Sequence, residues 1–389
     1  MANFKLIRIT TIPGSLRGLL RGQLRFMSEN GFEVIAISSS GKALQDVEKN
    51  EGVRTYAVEM SRRISPLNDL KSVWQLYKIF KREKPDIVHT HTPKAGTVGM
   101  LAAWLARVPI RLHTVAGLPL METTGMKRKL LNYVEKWTYR LATKVYPNSC
   151  GLKDFILQEK LCSDKKTHVI ANGSSNGIDT YFFSNERLDK GELINLRSSL
   201  HIALNDFVFI FVGRLVGDKG INELVSAFSK LRKQNAKLLL VGPLEEKLDP
   251  LLPNTLNEIR CNKSIISVGF QKDVRPYFAI ANALAFPSYR EGFPNVVMQA
   301  GAMGLPSIVT DINGCNEIII NKKNGIIIPA KNEKKLLEAM HLFVDNENEL
   351  RHMAANSRQL IVNRYEQHMV WNTLLEEYKK LEKYFLEIK

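Results

Sequence analysis

Two rhythms of apolar residues alternate along the chain. Short compact runs read as buried strands, and stretches with a period of three to four residues read as amphipathic helices. In the first half the compact runs lie at 5–10, at 32–38, near 53–58, in PDIVHTHT from Pro85 and in RLHTVAG at 111–117. Between them a helical pattern runs through Leu16, Leu19, Leu20, Leu24 and Met27 and ends at Gly31. A second spans 67–82 with Leu70, Val73, Trp74, Tyr77 and Phe80 at helical spacing, and a third, rich in small residues, ends near Arg107. TKVYPNS at 143–149 and THVIANGSSNGID at 167–179 read as the last strands of this half.

The pattern restarts after a linker at about 183–205. FVFIFVGR, KLLLVG at 237–242, IISVGF at 265–270, ANALAF at 281–286, SIVT at 307–310 and GIIIP at 325–329 predict strands. Helices are expected at about 221–234, 274–280 and 296–303, and from 333 onward to a basic, aromatic final helix through Trp371, Tyr378 and Tyr384. Strands separated by helices imply two doubly wound parallel sheets, an α/β chain. The expected domains are 1–184 and 185–365, followed by the last helix at about 366–389.

Composition narrows the classes. With 389 residues the chain exceeds one ordinary core, and 44% hydrophobic with 24% charged residues suits a folded, soluble protein. The longest apolar run, GTVGMLAAWLARVPI from Gly96, is broken at Arg107 and falls short of the ~18 residues a span needs, so a buried helix is expected. FKLIRIT begins a strand almost at once, which leaves no room for a signal peptide. Cys150, Cys162, Cys261 and Cys315 form no C-x-x-C pair and no zinc spacing, so a reduced, cytoplasmic protein is expected.

The net charge of +16 is uneven: residues 1–185 hold 28 Lys and Arg against 15 Asp and Glu, and residues 186–389 hold 27 against 24. A basic half suggests a polyanionic partner, either an anionic membrane surface or nucleic acid, unless it is simply a solvated basic surface. Residues 118–140 add a basic amphipathic segment in which Met126, Leu130, Leu131, Tyr133, Val134 and Trp137 alternate with Lys127, Arg128, Lys129, Lys136 and Arg140. It reads either as a surface helix packed on the sheet or as one resting on an anionic bilayer.

Chemistry concentrates at strand ends. In the first half, TIPGSLRG lacks G-x-G-x-x-G and does not support a dinucleotide site, although Gly14 and Ser15 lie where ligands bind in such sheets. His89 and His91 share one strand face, and at least one is expected to be a hydrogen-bonded interior residue. His113, at the end of the next strand, could hydrogen-bond a phosphate or a sugar hydroxyl.

In the second half Gly213, Arg214, Gly217, Lys219 and Gly220 fall between a buried strand and a helix. Glycines permit close approach and the two cations suit a diphosphate, Arg214 bidentately and Lys219 as a point charge. No Walker pattern accompanies them, which argues against a P-loop ATPase. PSYREGFPNVVMQAGAMGLP, 287–306, reads as a ligand loop turning at Gly292, Phe293 and Pro294 into a helix capped by Asn295. Its amides would take a phosphate, and Glu291 could accept hydrogen bonds from two neighbouring sugar hydroxyls.

VGRLVGDKG, PSYREGFPNVVMQAGAMGLP and TDINGCNEII, in this order and spacing, resemble the family 4 glycosyltransferases of the GT-B fold. PDIVHTH, LHTVAG and ANGSSNGID fall where such enzymes have related segments, and the chain looks most like bacterial enzymes of capsule, exopolysaccharide or lipid-linked glycan assembly. The resemblance implies two Rossmann-like domains facing across a cleft, with the final helix crossing back to the first. It implies an acceptor on the N-terminal domain and a nucleotide sugar, UDP-linked, on the C-terminal one. Arg214 and Lys219 would hold the diphosphate, Glu291 the transferred sugar, and the backbone from Gly292 through Phe293, Pro294 and Asn295 to Val296 the sugar and phosphate. Gln299 takes the second acidic position of the E-x7-E pattern and would face the ribose, while Pro294 stands where glycine is common and lacks an N–H.

Transfer with retention of configuration is implied, without metal or other cofactor, in keeping with the lack of a D-x-D motif. His113 would position sugar and phosphate. The implied partners are a nucleotide-sugar donor, a lipid-diphosphate-linked glycan and an anionic membrane surface met by the basic half, with no nucleic acid. The implied location is cytoplasmic, peripheral to the inner face of the plasma membrane. A sugar-nucleotide epimerase of the same fold would want further catalytic acids. A non-catalytic polyanion-binding protein leaves Arg214, Lys219 and Glu291 unexplained as a set.

Overall fold

A computed structural model describes residues 4–61, 65–245, 247 and 249–388. The chain forms two compact units, Met1–Gly177 with Gln367–Lys389, and Ile178–Glu366.

The first unit holds β1 (Phe4–Ile9), β2 (Phe32–Ser38), β3 (Arg54–Ala57), β4 (Ile87–Thr90), β5 (Ile110–Val115) and β6 (Lys144–Pro147). Its helices are α1 (Pro13–Leu19), α2 (Gln23–Glu29), α3 (Lys42–Glu51), α4 (Pro66–Glu83), α5 (Pro93–Leu105), α6 (Gly125–Leu141) and α7 (Cys150–Gln158). The strands pair in parallel in the order β3-β2-β1-β4-β5-β6, the doubly wound dinucleotide-fold order.

The second unit repeats that order. It contains α8 (Lys190–Ser199), β7 (Phe207–Val212), α9 (Ile221–Leu231), β8 (Ala236–Val241), α10 (Pro253–Cys261), β9 (Ile265–Ser267), α11 (Arg275–Ala279) and β10 (Ala283–Phe286). It continues through α12 (Asn295–Ala302), β11 (Ser307–Thr310), α13 (Cys315–Ile318), β12 (Gly325–Ile328), α14 (Glu333–Asp345) and α15 (Glu347–Tyr365). Its parallel sheet runs β12-β11-β10-β7-β8-β9.

Unbroken apolar strands follow from this architecture, because a parallel sheet covered on both faces has no solvent side. Phe211 of β7 and Phe286 of β10 stack at 5.7 Å, both at most 2% exposed, and burial of each such ring contributes about 1.5–3 kcal/mol. In α5 small residues let the helix sit against its sheet. A Cβ on Gly96 would lie 2.4 Å from His113 Cε1, and one on Gly99 2.7 Å from Thr90 Cγ2.

The last helix, α16 (Gln367–Ile388), packs on the first unit and buries Trp371, Leu374, Leu375 and Tyr378. Its polar anchors are specific: Trp371 Nε1 donates to Asn176 Oδ1 at 2.8 Å, and Tyr378 Oη lies 2.6 Å from His89 Nδ1.

Several boundaries differ from the sequence reading. The first domain ends at Gly177 rather than 184, because the Ile178 amide donates to Tyr365 O at 2.8 Å and Phe183 joins the second core. The final helix begins at Gln367, in keeping with a start at about 366. The stretch at 167–179 forms no strand of the first sheet; it meets β6 through a single bridge between Val145 and Thr167 and through His168. The helical pattern before Gly31 breaks into α1 and α2 at Gly22. This residue has a φ of 78°, and a Cβ on it would stand 2.6 Å from the Trp371 ring, so the position requires glycine. The supposed linker at 183–205 carries α8, capped by Asp189. Among the described residues no helix is long and apolar enough to cross a membrane.

Candidate functional site

Three loops meet at the carboxyl edge of the second sheet, following β7, β10 and β11, the edge at which open α/β sheets bind ligands. Two glycines fasten them. Gly220 has φ 71°, and a Cβ there would stand 2.1 Å from Pro287 O; Gly314 has φ 76°, with its Cβ position 2.7 Å from Gly292 O. Both the conformation and the close approach exclude a side chain.

Polar contacts complete the assembly. Lys219 Nζ donates to Glu291 Oε1, and Ser288 Oγ donates to the same oxygen at 3.0 Å. Both charged side chains are 17% exposed, enough to meet a ligand yet sheltered from full screening. Buried Ser288 is held in turn by Thr310, whose hydroxyl donates to Ser288 O. Asn313 Nδ2 donates to Gly292 O at 2.6 Å and to Glu291 O at 3.3 Å, fixing the turn that presents the carboxylate. Arg290 forks onto Asp218 Oδ2 through Nε at 3.0 Å and Nη2 at 2.6 Å.

Arg214 lies beside this set and is half exposed. Its Nη1 donates to Glu245 Oε2 at 2.6 Å, a bond that raises the guanidinium pKa further. Burial pushes the Cys315 thiol well above its usual range; the charge of Glu291 adds to the rise and that of Lys219 opposes it. Cys315 therefore stays a protonated apolar neighbour of the pair.

Arg214, Lys219, Glu291 and the Gly292–Val296 backbone thus fall in one unit around one loop cluster, as does Gly213. Asn295 is not the cap, however. It is the first residue of α12, Pro294 takes the N-cap position, and no side chain caps this end. The fixed φ of Pro294 delivers the chain into the helix; no side chain claims the Asn295 and Val296 amides, while Val297 N donates to Pro294 O at 3.1 Å. Gln299 lies one turn further on, half buried. Phe293 anchors the turn through its ring, 5.4 Å from that of Tyr365. Ser288, Asn313 and the Asp218–Arg290 fork were not singled out from sequence, although they lie within or beside the motif segments.

Another concavity of this unit, about 470 Å³, is lined by α9 and α10 residues such as Asn222, Ser226 and Thr255 and by none of Arg214, Lys219 and Glu291. Among the described residues no three His, Cys, Asp or Glu side chains gather to hold a metal ion.

In the first unit Gly14 and Ser15 form the first turn of α1 rather than a loop, with Gly14 exposed at the carboxyl end of β1. His113, expected to hydrogen-bond a phosphate or a sugar hydroxyl, is enclosed instead. It is 2% exposed, lies 2.7 Å through Nδ1 from Thr90 Oγ1, and is covered by Gly96. Burial lowers its pKa to about 4. A neutral ring enclosed in this way orders β4 and β5 and reaches no ligand in this conformation. His89 and His91 are also interior, as expected for at least one of them.

Comparison with known proteins places the chain in a family. Residues 194–360 match the family model described as glycosyl transferases group 1, and residues 20–173 match the glycosyl transferase 4-like domain. The chain is 32% identical to the capsular polysaccharide biosynthesis glycosyltransferase CapM of Staphylococcus aureus, over 97% of both chains. It is 30% identical to the UDP-Gal:alpha-D-GlcNAc-diphosphoundecaprenol alpha-1,3-galactosyltransferase of Escherichia coli, over 93% of each. Anabaena HepE, solved in complex with UDP-glucose, shares the fold with a TM-score of 0.79 at 18% identity, covering 97% of this chain and 99% of that one.

Proposed function

The chain belongs to the family 4 glycosyltransferases of the GT-B fold, and from that premise we propose that it moves a hexosyl or N-acetylhexosaminyl group from a UDP-linked sugar to a lipid-diphosphate-linked glycan in the assembly of a surface polysaccharide. The observation that carries the reading is the Lys219–Glu291 pair, steadied by Ser288 beside the uncapped start of α12. Cation, carboxylate and helix amides together offer one partner for each part of a sugar diphosphate. The names of the Staphylococcus and Escherichia relatives point to the pathway class.

Each residue then has a stated task. Lys219 and Arg214 exchange carboxylate partners for diphosphate oxygens, Arg214 by turning from Glu245. Glu291, released from Lys219, accepts hydrogen bonds from the sugar hydroxyls. The Phe293 to Val296 backbone, less the N–H that Pro294 lacks, meets sugar and phosphate, and Gln299 faces the ribose through its amide. As the glycosidic bond breaks, charge grows on the leaving diphosphate, and fixed cations with helix amides stabilise it. This electrostatic work needs no metal in the present reading, and the sugar keeps its anomeric configuration, with the acceptor hydroxyl giving its proton late, to the leaving phosphate.

Gly14 and Ser15, at the strand edge of the first unit, stand on the acceptor side of this reading. Buried His113 supports that edge from beneath. The membrane enters through the same unit. Met126, Leu130, Tyr133 and Trp137 form one exposed stripe on α6, flanked by exposed Lys127, Lys129, Lys136 and Arg140. α5 packs against both α4 and α6, and α4 adds exposed Leu67, Leu70 and Trp74. Such a surface suits the inner face of an anionic bilayer, where the acceptor lipid is held.

The test is a panel of UDP-sugars incubated with an undecaprenyl-diphosphate-linked monosaccharide, with and without EDTA, and NMR of the product. A lipid-linked disaccharide with the donor's anomeric configuration, formed equally in EDTA, supports the proposal; inversion, or transfer only with added metal, contradicts it.

A further inference from the structure

In the first unit, a charge is buried without a counter-charge. Arg8, in β1, has no exposed surface. Its Nε donates to His91 Nε2 at 2.8 Å and its Nη2 to Gln23 Oε1 at 2.5 Å, both neutral acceptors. Its Nη1 is buried and has no hydrogen-bond partner. Arginine does not give up its proton in a protein interior, so this is a cation in a medium where isolated charge is costly.

A second orphan lies beside it. Arg8 Nε can only donate, so His91 Nε2 accepts, and a neutral ring then carries its proton on Nδ1. Burial, reinforced by His89, Arg8 and His113, lowers the His91 pKa well below its usual value and keeps the ring neutral. That Nδ1 is buried and unpartnered as well. Arg8 and His91 both line one cavity of about 20 Å³, closed by Val370 and Leu374 of α16. Asn148 and Ser175 line it too, and each has a buried polar atom without a partner, Asn148 Oδ1 and Ser175 Oγ. The Asn148 amide keeps Nδ2 on Ala116 O at 3.4 Å, since the turned amide would set Oδ1 against that carbonyl, so Asn148 adds no donor to the cavity.

We infer that this cavity is a binding site for one monatomic anion of the halide class, held by Arg8 Nη1, the His91 Nδ1–H and the Ser175 hydroxyl. Donors converge there, positive charge is uncompensated, and the space suits a single atom rather than phosphate or a carboxylate. A bound halide neutralises Arg8 at the carboxyl ends of β1 and β4. The site is separate from the loop cluster of the second unit, and the inference does not depend on the transferase reading.

Bromide tests it in the intact protein. Crystals soaked in sodium bromide should show an anomalous peak within about 3.5 Å of Arg8 Nη1, the N–H to halide contact being slightly longer than N–H to oxygen. Raising chloride from 1 to 300 mM at constant ionic strength, with gluconate as balance, should raise Tm by roughly 3 °C through binding to the folded state alone. The Arg8→Met variant, if folded, should lose both responses. Density without anomalous signal in the cavity, meaning a water, would overturn the inference, as would a Tm indifferent to chloride in the wild-type protein.

Discussion

The Lys219 ammonium donates to Oε1 of Glu291, a carboxylate 72 residues further along the chain, across the gap between the loops that follow β7 and β10. The pair holds two opposite charges at one sheet edge with neither fully solvated. A ligand bearing both hydroxyls and phosphates can take over both partners at once, and a ligand bearing only one kind of group cannot. Under the proposed function that ligand is a sugar diphosphate rather than a free sugar or a simple anion.

Arg214→Ala and Lys219→Ala should each weaken UDP binding about 10-fold or more, the effect of losing a charge-assisted hydrogen bond worth about 1.5–3 kcal/mol. Uridine affinity should stay within about 2-fold of wild type, since no phosphate is lost. Isothermal titration with both ligands checks this, and equal losses for uridine would mean the loop had collapsed instead.

Gly220→Ala is expected to damage structure and binding together. The αL backbone disfavours alanine by roughly 1–2 kcal/mol, and the methyl would meet Pro287 O, so the loop carrying Ser288 and Glu291 must move. Tm should fall by several degrees, with UDP affinity falling alongside. Gly14→Ala, where a Cβ meets nothing within 4 Å, is the matched control and should leave Tm nearly unchanged.

Acid should destabilise the first unit. Burial holds His113 near 4 against 6.5 for an exposed ring, and His89 and His91 are lowered as well. Between these values the unfolded chain binds protons that the folded chain refuses, so stability falls as pH drops from about 6.5 towards 4, by about 3 kcal/mol for His113 alone. Glu135 acts in the opposite sense. Burial raises it to about 7, so its contribution is present at low pH and lost as pH rises from about 4.5 through 7. Chemical denaturation between pH 4.5 and 7 should therefore show a steeper gain of stability with pH in Glu135→Gln than in wild type.

Membrane binding should depend on anionic lipid and fall with salt, because basic side chains frame the apolar stripe. Co-sedimentation with vesicles of phosphatidylglycerol should exceed that with phosphatidylcholine several-fold. Trp137→Ser together with Tyr133→Ser should reduce it while leaving transfer to a water-soluble acceptor analogue intact.

The strand–helix alternation and the loop cluster were legible because short apolar strands and Gly- and Pro-rich turns are local signals. What escaped is three-dimensional. On α4, periodicity grouped Leu70 and Trp74 with Val73 and Phe80, yet Val73, Leu76 and Phe80 face inward while Leu70 and Trp74 are exposed. Spacing reveals that a helix has apolar stripes, and packing decides which one is covered. His113 looked available because its strand ends near it; the cover supplied by Gly96 depends on how closely α5 descends onto the sheet. Nothing in the sequence singles out Arg8, since its acceptors His91 and Gln23 lie 83 and 15 residues away. Asn295 has the side chain of a cap but sits one residue too late for the role.

The most direct measurement is sugar transfer by Glu291→Ala beside wild type, using the UDP-sugar that wild type accepts and the same lipid-diphosphate acceptor, with circular dichroism to verify folding. The variant should fold, still bind UDP, and lose about 10²- to 10³-fold or more in kcat, the scale set by removing one group that acts on the reacting sugar. A folded Glu291→Ala enzyme that transfers sugar at the wild-type rate would contradict the assignment of the site.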